Sequence, residues 1–262
     1  MEEIVYFDLA TERVVILKEF VKTERTYKLF CRRITEHDWQ LYFAGIVVTA
    51  EQDGKTRINT IDVLTPRLAL AESVLMNAEG YRVAGGAQLT EIPGWQKKIP
   101  LAHRQKLGET LANVRPSRAE DDELVIYPEG EVVLLDADFS GYQYEDSEGN
   151  LRWAMRKIVG LKHVFSTPSE EQHRRYTRES SRSRVVGGSR TGKTIYQGSQ
   201  PLLAKLYDEL VISVEGYAVN GVPLTNDRNA IVREMDMMHK VMAAQELFQP
   251  QDTSTLAGGD EE

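Results

Sequence analysis

One order of short landmarks occurs twice along the chain, and this repeat constrains the fold more than any other feature. Glu79-Gly80-Tyr81-Arg82-Val83 returns as Glu215-Gly216-Tyr217-Ala218-Val219 at an offset of 136 residues. At the same offset His103-Arg104 meets His239-Lys240, and Leu101 and Leu111 meet Met237 and Leu247. Upstream, Pro66-Arg67-Leu68-Ala69 faces Pro201-Leu202-Leu203-Ala204 at 135, and Gly54-Lys55-Thr56 faces Gly192-Lys193-Thr194 at 138. Thr35 and Tyr42 face Ser169 and Tyr176 at 134, and Arg13-Val14-Val15-Ile16 faces Glu131-Val132-Val133-Leu134 at 118. Each landmark is short, but a shared order argues for an internal duplication, with loop-length changes producing the drift in offset.

The chain has 262 residues, long for a single core and sufficient for two domains of about 100–150 residues. The expected organisation is a first unit at 1–114, a linker at 115–122, a second unit at 123–248 and a disordered acidic tail at 249–262. β-Branched and aromatic runs predict strands at 4–8, 13–20 and 26–33, and again at 123–127, 131–139 and 151–159. A helix follows in each unit, announced by Thr35 or Ser169 as an N-cap hydroxyl with acids in the first turn. Next comes a hairpin, 46–49 with 55–58 around Asp53-Gly54, or 184–186 with 193–197 around a longer Gly-rich turn. A helix after Pro66 or Pro201 carries Leu68, Ala71, Val74 and Leu75, or Leu203, Leu206, Leu210 and Val211. Closing helices are expected at 99–114 and 230–248. The fold class is therefore α+β, two tandem copies of a small unit, each an antiparallel meander plus a hairpin with about three helices.

Forty acidic residues against 32 basic ones give a net charge of −8, which disfavours a broad footprint for nucleic acid or an anionic membrane. Cys31 is the only cysteine, so no intramolecular disulfide can form. The first residues, Met1-Glu2-Glu3-Ile4, show neither a basic nor an apolar leader region, and no stretch reaches the ~18 apolar residues of a spanning helix. The expected location is the cytoplasm.

Gly187-Gly188-Ser189-Arg190-Thr191-Gly192-Lys193-Thr194 matches the Walker A pattern in full. A working phosphate cradle needs a buried strand before the loop and a helix starting at the Lys-Thr. The preceding 178–184 is too polar for such a strand, Ile195-Tyr196 favours a strand, and the matching Gly54-Lys55-Thr56 lacks the first glycine. A hairpin arm is the preferred reading, and a P-loop-like nucleotide-binding protein is the alternative. His103 and His239 are the only histidines in register; with no matching acid at ligand spacing, a helix-surface or capping role is expected. Asp136 and Asp138 share one face of a strand, but Lys18 stands near that position in the first unit, so a solvent-facing edge is expected.

Arg174, Arg175, Arg178, Arg182, Arg184, Arg190 and Lys193 form the one concentrated basic stretch, an expansion that the first unit lacks. They are the candidate interaction surface, for an acidic protein neighbour or, as a further alternative, for nucleic acid. The run from Lys162-His163-Val164-Phe165 to Arg178, and that from Leu206-Tyr207-Asp208-Glu209 to Glu215-Gly216-Tyr217, resemble small structural or tail-assembly proteins of tailed bacteriophages. The resemblance covers about a quarter of the chain and carries no catalytic residue. It implies a non-enzymatic structural or assembly protein without cofactor, with further copies of the chain or phage structural proteins as partners, and with a virion as a destination.

Overall fold

Where the sequence alternates β-branched and aromatic residues it forms strands, and where capped runs carry apolar residues at helical spacing it forms helices, so that the computed structural model is an α+β protein. It describes residues 6–21, 23–53, 56–83, 85–86, 88–113, 116–118, 130–137, 143–145, 151–153, 158–180, 183–186, 193–196 and 199–248.

The first half runs β1 (Phe7–Asp8), β2 (Arg13–Val21), β3 (Thr23–Cys31), α1 (Glu36–Gly45), β4 (Val47–Asp53), β5 (Thr56–Asp62), α2 (Leu64–Val74), β6 (Leu75–Glu79) and α3 (Leu101–Asn113). The second half runs β7 (Ser117–Arg118), β8 (Glu131–Ala137), β9 (Gln143–Glu145), β10 (Leu151–Trp153), β11 (Ile158–Phe165) and α4 (Glu170–Ser180). It continues through β12 (Ser183–Val186), β13 (Lys193–Tyr196), α5 (Gln200–Leu210), β14 (Val211–Glu215), β15 (Tyr217–Val219), β16 (Val222–Leu224), α6 (Arg228–Glu234) and α7 (Met237–Phe248).

Two antiparallel sheets have matching order, β2-β3-β6 in the first half and β8-β11-β14 in the second, where β7 adds a further edge. Their registers agree in detail. Lys28 stands opposite Glu79 and Lys162 opposite Glu215, and each pair approaches as an ion pair, at 3.3 and 3.9 Å. The ladder slips between Phe30 and Cys31 in one sheet and between Val164 and Phe165 in the other. Gly80 and Gly216 follow the last strand of each sheet with φ of 90° and 87°; an added Cβ would lie 2.4 Å from the Thr26 carbonyl oxygen or 2.5 Å from that of Gly160. Only glycine fits such a left-handed approach without strain.

The helices match as well. Thr35 and Asp38 close a reciprocal capping box on α1, and Ser169 and Gln172 make the same exchange before α4, as hydroxyls three residues ahead of an acid or amide predict. Glu72 on α2 pairs with Arg104 on α3; Asp208 on α5 pairs with Lys240 on α7 at 2.8 Å. The apolar residues of both halves belong to one continuous cluster, with Leu29, Val74, Leu107 and Leu111 from the first and Leu134, Leu161, Leu206 and Val241 from the second. Between the halves, β12-β13-β4-β5 form one four-stranded sheet.

Several elements depart from the sequence-based expectation. The strand expected at 4–8 does not join the first meander: its described part, β1, pairs in parallel with β15 of the second half, where Phe7 lies against Tyr217 and His239. The strand expected at 151–159 contains β10, which pairs with β9, and the start of β11, which runs on to Phe165 because Leu161, His163 and Phe165 alternate into the core. The closing helix expected at 230–248 breaks between α6 and α7, where the Asp236 carboxylate accepts the Met238 N–H. Within the expected linker, Ser117–Arg118 pairs with β8. The strand expected at 123–127 and the tail at 249–262 lie outside the described residues.

Candidate functional site

The chemistry of the molecule gathers where each central sheet meets its last helix. In the first half the Tyr81 hydroxyl lies 2.8 Å from Nδ1 of His103, whose Nε2 is 2.6 Å from a Glu19 carboxylate oxygen. In the second half the Tyr217 hydroxyl lies 2.8 Å from Nδ1 of His239, whose Nε2 is 2.9 Å from Asp136. The tyrosine follows the left-handed glycine, the histidine sits on α3 or α7, and the carboxylate comes from β2 or β8.

This arrangement corrects three expectations. Glu19 faces Arg25 across β2 and β3, and Asp136 faces Val159 across β8 and β11. Aligned through Lys28 and Lys162, the strands place Glu19 and Asp136 at one position, an offset of 117 rather than 118. A slip of one residue moves a side chain to the opposite face, which is why Lys18 stood near Asp136 in the sequence comparison. Asp136 is buried at 7% exposure and does not line a solvent-facing edge. His103 and His239 are buried too, at 5% and 1%, and are neither surface nor capping residues. Asp138 lies outside the described residues.

The second cluster is larger. His163, fully buried on β11, places Nε2 2.8 Å from the Tyr217 hydroxyl and Nδ1 3.0 Å from the Tyr207 hydroxyl. Leu29 occupies the corresponding place on β3, and Ala71 that of Tyr207. Burial, reinforced by the neighbouring His239, pushes the His163 pKa down to about 3, so the ring is neutral, one nitrogen donating and the other accepting. One assignment satisfies the hydrogen bonds: Tyr207 donates to His163, His163 to Tyr217 and Tyr217 to His239, which turns the Nε2–H of His239 toward the Asp136 carboxylate 2.9 Å away. Burial also raises the phenols of Tyr81, Tyr207 and Tyr217 above their ordinary range. The hydrogen bond from His103 holds the Glu19 carboxyl below its ordinary value. His163 left one sequence signal: it occupies an inward position of a strand whose other inward residues are Leu161 and Phe165.

Three members of the basic stretch lie on α4, each in an ion pair. Arg174 pairs with Glu170 at 2.8 Å, Arg175 with Glu209 at 2.7 Å, and Arg178 with Glu179 at 3.2 Å. Arg184 lies on β12 and Lys193 on β13; Arg182 and Arg190 lie outside the described residues. Lys193 and Thr194 of the Walker-like string stand in an antiparallel strand paired with both β12 and β4, so no helix begins at the Lys-Thr. Among the described residues, no group of three or more His, Cys, Asp or Glu is arranged to hold a metal, and no helix is long and apolar enough to cross a membrane.

The fold and these clusters define an α+β protein with two similarly built halves, each tied by a tyrosine–histidine–carboxylate chain. No family model, curated protein or solved structure matches it.

Proposed function

We propose that the chain is a tandem duplication of one α+β unit and serves as a non-enzymatic structural or assembly protein, acting through protein–protein contacts in a phage or prophage tail. The duplication is supported by the matched registers, bulges, left-handed glycines, capping boxes and ion pairs of the two halves. The functional reading is carried by one observation: the chemically most expressive side chains tie sheet to helix in both halves, enclosed in the core in the second and half-buried at Tyr81 and Glu19 in the first. Tyrosine, histidine and carboxylate there hold a central sheet to a final helix, which leaves the outer surface to do the work. That surface carries large apolar side chains at corresponding places, Met76 on β6 at 48% exposure and Ile212 on β14 at 51%. A duplicated unit doubles a contact surface within one chain, and the phage resemblance supplies the setting.

Light scattering and sedimentation of the purified full chain test this reading. An oligomer, or a defined complex with a tail structural protein, is the expected result; a monomer at all concentrations that binds no such protein overturns it. Thermal melting with Mg-ATP and Mg-GTP is expected to show no shift. A stabilisation by nucleotide that Lys193→Ala abolishes replaces the assembly reading with the nucleotide-binding one.

A further inference from the structure

We propose that copies of this chain join head to tail, the outer edge of β5 in one copy pairing antiparallel with the outer edge of β12 in the next. The inference rests on the assembly reading and names its partner, a second copy of this chain, and the surface that partner uses.

The strand order β12-β13-β4-β5 carries it. Each half supplies one hairpin from the same point in its element order, between its first two long helices: β4–β5 after α1, and β12–β13 after α4. Two hairpins related by a two-fold axis would join like strand to like strand, β4 to β12 or β5 to β13. Here the second strand of one hairpin meets the first strand of the other, with Lys193 opposite Thr49 and Thr194 opposite Val48, antiparallel. The contact is heterologous, and a heterologous contact does not use itself up. It leaves at the margins one first strand, β12, and one second strand, β5. These are the same two kinds of edge that already recognise each other inside the chain.

Among the described residues neither margin has a further strand beside it. An open edge presents unpaired N–H and C=O groups and is a template for strand addition unless blunted. β5 is seven residues long, Thr56-Arg57-Ile58-Asn59-Thr60-Ile61-Asp62, β-branched at four positions; β12 reads Ser183-Arg184-Val185-Val186. Neither contains the proline that would bar pairing. Repeating the β13–β4 contact between copies as β5–β12 keeps the antiparallel sense. It continues the sheet from chain to chain, in a ring where the rotation per copy closes and a filament where it does not.

Cross-linking of the full chain tests the contact. Cys31 is buried and its thiol is pushed up to about 12 by that burial, so introduced cysteines are the reactive ones. Asn59→Cys marks β5 and Val185→Cys marks β12. Within one chain they are three strand spacings apart, roughly 14 Å, beyond the reach of a disulfide or a shorter bis-maleimide. The double variant is expected to give a ladder of covalent multimers, and each single variant none. Thr60→Cys with Arg184→Cys repeats the test on alternate residues of the same strands and covers the failure of one pair to fold. Dimers from either single variant point to a two-fold contact and overturn the proposal. Absence of a ladder from both double variants overturns it too; if light scattering then still shows an oligomer, the assembly reading stands on another surface, whereas a monomer removes both.

Discussion

The two tyrosine–histidine–carboxylate chains share their geometry and differ in their access to water. In the first half the carboxylate of Glu19 is 42% exposed and the chain ends at Tyr81. In the second half Asp136 is 6% exposed, and the chain runs on through His163 to Tyr207. The same three kinds of side chain tie sheet to helix in both, but only the second half adds a further imidazole, the fully buried His163. The two chains occupy one position in similarly built halves while the electrostatic stakes differ, because an unpaired polar group is costly in proportion to its burial.

This contrast breaks most visibly in acid. His163 ionises near pH 3 in the folded protein and near 6.5 once unfolded. A depressed folded value favours the unfolded state wherever that state alone binds the proton. The stability is therefore present above about pH 6.5 and is lost toward pH 3, at about 1.4 kcal/mol per pH unit and roughly 4 kcal/mol across the window. Urea denaturation at a series of pH values is expected to show this slope, and His163→Leu, which installs the residue found at Leu29, to flatten it. Equal slopes in the two proteins would show that His163 does not set the acid limit. Glu19 acts lower: its depressed carboxyl contributes above its unfolded pKa, near 4.3, and the contribution is lost as pH falls through the folded value.

Asp136→Ala leaves the His239 Nε2 without its carboxylate in a dry site and is expected to cost about 3 kcal/mol. Glu19→Ala, where water replaces the lost partner, costs less, so equal losses in chemical denaturation would erase the distinction. Gly80→Ala and Gly216→Ala should each cost about 2 kcal/mol, since both force a Cβ toward a carbonyl oxygen at positive φ. Thermal melts that separate these two variants widely would weaken the equivalence of the halves. The smallest effects concern the phenols. Tyr217→Phe abandons two imidazoles and is expected to cost about 1–2 kcal/mol, against about 1 kcal/mol for Tyr81→Phe, which abandons one.

Much of the fold was legible because it is local. Thr35 and Ser169 announce their helices by capping chemistry, the hairpin around Asp53-Gly54 by its turn, and Gly80 and Gly216 by a shared motif. The carboxylates of the candidate site were not legible. Aligning 13–16 with 131–134 by apolar residues fits nearly as well one residue out, and only the pairing with β3 and β11 fixes which side chain faces the histidine. The destination of the first strand was equally hidden, because nothing within residues 4–8 distinguishes β15 from β2 as a neighbour. The Walker-like string shows the reverse failure: a complete match in sequence whose lysine and threonine lie in a strand.

The sequence by itself determined the repeated order of elements, the caps, the turns and the pairing of His103 with His239, all of which depend on short-range chemistry and spacing. Tertiary structure alone decided which carboxylate each histidine meets, that Leu29 in one half corresponds to buried His163 in the other, and that the two hairpins join β13 to β4. Those outcomes depend on strand register and on which edges meet, and both are set by contacts between residues far apart in the chain.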